Sequence, residues 1–129
     1  MDTDTLICLV ERYFAAVDRM DLDGTLECFT PGATFTIATY DTVHRGCDEG
    51  IRTMFERLNA RYSKVWHGDF DHVVQPPLRI ASRFRVENTL ADGSVRVKHN
   101  CNFFRLDVSG GQPRFDQVFV YMSGDNSLA

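Results

Sequence analysis

Apolar residues recur every three or four positions at the start of the chain. Leu6, Val10, Tyr13, Phe14 and Val17 form one stripe, which predicts an amphipathic helix from about Asp4 to Met20. Asp21 then offers its carboxylate to the free backbone N–H groups of a short second helix, Leu22 to Phe29, and Pro31-Gly32 ends it. Ala33 to Tyr40, rich in Thr, Phe and Ile, reads as a strand, with a turn and a short strand to Gly46 behind it. A third helix is predicted from about Asp48 to Arg61. Asp48 and Glu49 suit the positive end of its dipole, and Ile51, Met54, Phe55 and Leu58 give it an apolar stripe. Four strands follow: Lys64 to Gln75, Leu78 to Leu90, Ser94 to Asp107 and Arg114 to Ser123. The breaks between them are Pro76-Pro77, Asp92-Gly93 and Ser109-Gly110-Gly111.

Helices first and a long antiparallel meander afterwards predict an α+β fold, in which a strongly curved sheet wraps the first helix. Alternation along the strands sorts their faces. Ile80, Ser82, Phe84 and Val86 share the inward face of one strand, opposite Arg79, Arg83, Arg85 and Glu87. On the last strand Asp116, Val118, Val120 and Met122 share one face, while Phe115, Gln117, Phe119 and Tyr121 share the other. The strand before it sets Val95, Val97, Cys101 and Phe103 against Phe104 and Leu106, and His99 falls on its outer face. A sheet that is apolar on both faces needs a second cover, and a homodimer packed sheet against sheet would supply it.

A length of 129 residues gives one domain as the expectation, and nothing in the chain reads as a linker, repeat or low-complexity tract. Formal net charge is -4, with the 14 Lys and Arg scattered, so the clustered cations that nucleic acid requires are missing. No apolar run approaches the roughly 20 residues that span a bilayer, and acidic Met1-Asp2-Thr3-Asp4 does not resemble a secretory leader. Cys8, Cys28, Cys47 and Cys101 match no zinc or redox spacing and read as free thiols, which points to the cytoplasm. No cofactor motif and no metal site is expected.

Arg12-Tyr13, Asp21-Leu22-Asp23-Gly24, Ala33-Thr34, Gly46 with Ile51, and Cys101-Asn102-Phe103-Phe104-Arg105 resemble the ketosteroid isomerase pattern. The chain as a whole is similar to the nuclear transport factor 2-like superfamily, which includes ketosteroid isomerases, SnoaL-like polyketide cyclases, scytalone dehydratase and limonene epoxide hydrolase. The resemblance implies a single cone-shaped α+β roll, cystatin-like, with a small-molecule pocket at its open end and a sheet-to-sheet dimer. It implies fold more strongly than reaction.

Tyr13 matches the isomerase tyrosine that donates to a substrate enolate oxygen; its alternative role is to complete the helix stripe. Asn102 matches the second donor of that family, and an amide N–H needs no pKa shift to donate; alternatively it is an ordinary buried amide. The isomerase base falls at Ile37, which cannot take a proton, so ketosteroid isomerisation is not expected. Asp116, at a position that resembles an aspartate of some polyketide cyclases, and His72, grouped by alternation with inward Trp66, Phe70 and Val74, are the substitute bases. Phe14, Phe35, Ile37, Trp66, Phe84, Phe104 and Val118 would line an apolar pocket. His67, Asp69 and Asp71 fall on the opposite, solvated face, and His67 and His72 point apart unless a bulge intervenes. Two functions are open: a cofactor-independent isomerase, dehydratase or cyclase acting on a small carbonyl compound, and a non-catalytic module that holds an apolar ligand or a partner subunit.

Overall fold

The computed structural model describes residues 2–129. Helix α1 (Thr3–Asp18) opens on Asp2, whose Oδ1 accepts the Thr5 N–H at 2.8 Å. Asp21 caps α2 (Leu22–Leu26) as expected, accepting the Gly24 N–H at 3.0 Å. Then come β1 (Phe29–Ile37), a 3-10 turn over Ala38–Tyr40, β2 (Thr42–Arg45), a π-helical turn over Gly46–Ile51 and α3 (Arg52–Arg61). Strands β3 (Lys64–Gln75), β4 (Arg79–Thr89), β5 (Val95–Asp107) and β6 (Arg114–Met122) complete the chain. The expected meander is present with its ends moved by at most one residue.

The six strands form one curved, unclosed sheet in the order β2-β1-β6-β5-β4-β3. Only β1 and β6 run parallel. Its concave face holds α1, and Tyr13, Phe14, Phe29, Phe35, Phe55, Phe104 and Phe115 form a continuous aromatic core. Near Gly50 the chain passes so close to itself that an added Cβ would sit 2.7 Å from the Arg45 backbone, so the π-helical turn requires glycine there.

Three expectations are corrected. Pro31-Gly32 does not stop a helix: α2 ends at Leu26, β1 is already under way at Phe29, and the Pro-Gly pair occupies a register shift between Phe29 and Thr34, where a missing ladder N–H is tolerated. Phe115 does not face outward with Phe119 and Tyr121. A second shift, between Arg105 and Leu106, breaks the alternation and turns Phe115 into the core. In β3 the shift lies between Gly68 and Asp71, with Asp69 at φ +55°. It exchanges two assignments: Trp66 lies on the outer face, with the Arg85 guanidinium 5.0 Å from its ring centre, and His67 turns inward.

The C-terminal residues are fastened across one end of the cone. Tyr40 Oη donates to the Gly124 carbonyl, His44 Nε2 bonds the Leu128 carbonyl at 2.8 Å, and Arg61 donates to the Asn126 carbonyl at 3.3 Å. Lys98 is buried beneath them. Its ammonium donates to the Ser123 and Asp125 carbonyls and pairs with Asp125 Oδ1 at 2.9 Å. That hydrogen bond holds the Asp125 carboxyl below the usual carboxylate range. Among the described residues no helix is long and apolar enough to cross a membrane.

Candidate functional site

The inner face of the sheet carries an unusual number of polar groups. Ser82 and Asn88 on β4, and Lys98, Asn100 and Asn102 on β5, are all buried. The side-chain oxygens of Asn88, Asn100 and Asn102 have no hydrogen-bond partner. A buried acceptor left unpaired costs about 1–3 kcal/mol, so three on one surface call for an explanation beyond packing.

Register places the sequence candidates relative to each other. Ile37, Val120, Asn102, Ser82 and His72 are successive partners on β1, β6, β5, β4 and β3. The row that begins at Ile37 therefore ends at a histidine. His72 and Asn102 are brought together through Ser82, which lies between them. His72 Nδ1 is 2.7 Å from Ser82 Oγ, and its Nε2 is 2.9 Å from Glu11 Oε2 on α1. A carboxylate cannot donate, so Nε2 carries a proton, and in the neutral imidazole Nδ1 accepts from the serine hydroxyl. Phe70 stacks on the ring at 5.4 Å.

His67 is the residue that alternation misplaces. Its Nδ1 lies 2.6 Å from Asp18 Oδ1, and its backbone N–H donates to Asp18 Oδ2 at 3.0 Å. The carboxylate can only accept, so Nδ1 carries a proton, and in the neutral imidazole Nε2 is the ring's acceptor. Phe14 and Phe84 flank the ring, with centroids at 4.8 and 5.7 Å. Glu11, Phe14 and Asp18 lie three, four and seven residues apart on α1, so one helix stripe supplies both carboxylates and the aromatic wall between them. The two histidines share a face because a bulge does intervene. Each is already tied to a carboxylate, and among the described residues no three ligating side chains converge for a metal.

The other candidates fall elsewhere. Asp116 accepts from Thr30 Oγ1 at 3.1 Å beside the β1 register shift and bonds neither Tyr13 nor Asn102. Phe14, Phe35, Ile37, Phe84, Phe104 and Val118 are buried within the cone, whereas Trp66 is outside it. Tyr13 is 2% exposed and ringed by Phe14, Phe29, Phe55, Phe104 and Phe115 at 4.7–6.3 Å between centroids, so its ring belongs to the core.

Burial first, then the Cys28 and Asp18 side chains, push the Tyr13 phenol well above its ordinary value of 10.0. It is a neutral hydrogen-bond donor throughout the physiological range. The raised folded value also makes a stability prediction. Above about pH 10 the unfolded chain releases this proton while the folded chain retains it, so stability falls as pH rises. Tyr13→Phe lacks that penalty. Relative to its own stability at pH 8, it is expected to lose less on alkaline titration than the wild type, as read by circular dichroism. Equal losses would show that Tyr13 ionises freely in the fold.

The SnoaL-like domain family matches residues 10–120 of this chain, nearly its whole length. The chain belongs to the SnoaL-like domain family. Solved structures bear out the fold. SalBIII, an epoxide hydrolase/cyclase-like enzyme of pyran-ring formation in the polyether salinomycin, superposes with a TM-score of 0.81 at 20% identity, covering 95% of this chain and 93% of its own. A candidate polyketide cyclase of Xanthomonas campestris pv. campestris gives 0.79 at 18% identity, covering 92% and 90%. A candidate scytalone dehydratase of Novosphingobium aromaticivorans gives 0.78 at 9% identity, covering 95% and 87%. At these identities the likeness establishes the fold alone. No curated protein matches the chain. In this SnoaL-like domain α1 and β3 build a pair of histidine–carboxylate dyads between them.

Proposed function

We propose that this SnoaL-like domain is a cofactor-independent acid–base catalyst of the dehydratase, isomerase or cyclase kind, acting on a small hydroxylated carbonyl compound. The observation that carries the reading is the clamp of Asp18 on His67, which leaves one imidazole nitrogen basic beside an aromatic wall. His67 Nε2 takes the proton α to the carbonyl. When the His72 ring holds both protons, with Nε2–H on Glu11, its Nδ1–H donates to Ser82 Oγ as Ser82 passes its own hydroxyl proton to the departing β-hydroxyl. The C–H electrons form the new C=C bond as the C–O bond breaks, and water leaves. The unpaired amide oxygens of Asn100 and Asn102 accept from the substrate's hydroxyl groups.

Ile37 in place of the isomerase base favours a second reading, in which the same cone holds a ligand without turning it over. One substrate separates the two. The aldol of benzaldehyde and acetone loses water to give benzalacetone, which is followed by ultraviolet absorbance. The catalytic reading expects saturable acceleration over buffer. Saturable binding with turnover at the buffer rate would move the assignment to the binding module.

We also propose a homodimer through the convex face of the sheet. Val73, Val97, Phe103 and Tyr121 stand 44–67% exposed there, and Phe103 and Tyr121 meet edge to face at 5.9 Å. Grooves of about 420 and 390 Å³ on this face, lined in part by Val73 and Phe103 and by Cys101 and Tyr121, would receive a partner's side chains. Sedimentation at micromolar concentration is expected to give about twice the 14.7 kDa chain mass, and Phe103→Glu to give a monomer. A wild-type monomer would remove the proposal.

A further inference from the structure

Helix α1 has two chemically opposed flanks. Glu11 and Asp18, seven residues apart, face β3 and are bonded by histidines. Arg12 and Arg19, also seven apart, line a cleft on the other side, between α1, α2 and the start of β6. The spacing is two helical turns, so each pair shares a stripe. Ala16 lies between the two arginines and contributes only a methyl group to the cleft wall.

From β6 comes Arg114, with Gln112 from the turn before it. Three guanidiniums therefore reach one cleft of about 470 Å³, a size typical of small-ligand sites. Two carboxylates also line it. Asp21 is committed, since its Oδ1 accepts the Gly24 N–H and its Oδ2 lies 3.5 Å from Arg19. Glu27 has no salt bridge within 4 Å, and among the described residues Arg12 and Arg114 have none either. Balanced charge would be an ordinary solvated surface. With the Arg19–Asp21 pair set aside, two unpaired cations, Arg12 and Arg114, meet one unpaired anion, Glu27, in a chain whose net charge is -4. Like charges held in one concavity repel, and an oxyanion between them relieves that repulsion while satisfying planar, bidentate donors.

We propose that this cleft binds a small oxyanion, a phosphate or carboxylate group, with Arg12 and Arg114 as its principal ligands and Arg19 as an outer contact. The site lies on the flank of α1 away from the histidine dyads and stands independently of the catalytic reading.

Inorganic phosphate is the probe. It is titrated at constant ionic strength and followed by the side-chain Nε–H resonances of the arginines. Melting temperature serves as the second readout. Phosphate stabilises folded proteins in general by exclusion from their surfaces, so the comparison with variants decides. The wild type is expected to show saturable shifts confined to Arg12, Arg19 and Arg114. Arg12→Gln with Arg114→Gln is expected to weaken binding at least roughly tenfold, as the loss of two charge-assisted pairs implies. Arg105→Gln, on the exposed face of β5, is expected to leave it unchanged. Shifts that do not saturate, or an equal response from the Arg12/Arg114 variant and the wild type, would overturn the site. Circular dichroism of each variant separates loss of binding from loss of fold.

Discussion

Replacing His67 by glutamine is expected to lower the rate of aldol dehydration by about 10²–10⁴-fold, the range that a positioned general base contributes. The change removes the one ring nitrogen that the Asp18 clamp leaves basic. Glutamine has no side-chain atom that takes up a proton near neutral pH, yet it retains an N–H for Asp18 Oδ1, and the backbone N–H of residue 67 still reaches Asp18 Oδ2. Fold and ligand affinity are therefore expected to survive, and the loss should appear in kcat rather than KM. Asp18→Asn tests the same geometry from the other side. It keeps the imidazole but cannot accept from both the ring Nδ1–H and the backbone N–H, so the tautomer is no longer fixed and kcat is expected to fall with KM little changed. His67→Gln turnover within twofold of wild type would make the dyad structural and strip the catalytic reading of its base.

Why that dyad was hidden while most of the fold was legible has a physical answer. Regular spacing carries over from sequence to structure as long as each strand keeps its register. The α1 stripe, the Asp21 cap, the β4 alternation and the hairpin glycines all did so. Each register shift resets the alternation at the cost of a single residue. His67 and His72 are five apart, an odd separation that puts them on opposite faces of an unbroken strand. The signal that this strand is broken was Gly68-Asp69, a pair suited to positive φ in a run otherwise built for pairing. The carboxylates were harder to see. Glu11 and Asp18 read as polar positions flanking an apolar stripe, and only the docking of α1 against β3 shows that they meet histidines. The row from Ile37 to His72 depends on four inter-strand pairings, information that no local pattern contains.

Phe115→Ala is expected to be strongly destabilising. Simple alternation along β6 puts this residue outside with Phe119 and Tyr121, where truncation would cost little. The structure gives it no solvent exposure. Its ring lies 4.6 Å from Phe104, 5.3 Å from Tyr13 and 5.5 Å from Phe29, centroid to centroid. It thus joins α1, β1 and β5 at the point where β6 begins, and its backbone N–H donates to the Cys28 carbonyl at 2.7 Å. Alanine would leave a cavity walled by rings that pack against further rings and have little room to collapse. A loss of about 3–5 kcal/mol is expected, a large share of the roughly 5–15 kcal/mol that holds a domain folded. With m near 2 kcal/mol/M for urea, the midpoint should fall by about 1.5–2.5 M at unchanged m. Phe119→Ala, two strand steps from the shift and 37% exposed, is the control and should cost clearly less. If the two variants unfold at the same urea concentration, the register shift between Arg105 and Leu106 is wrong, and the inward assignment of Phe115 fails with it.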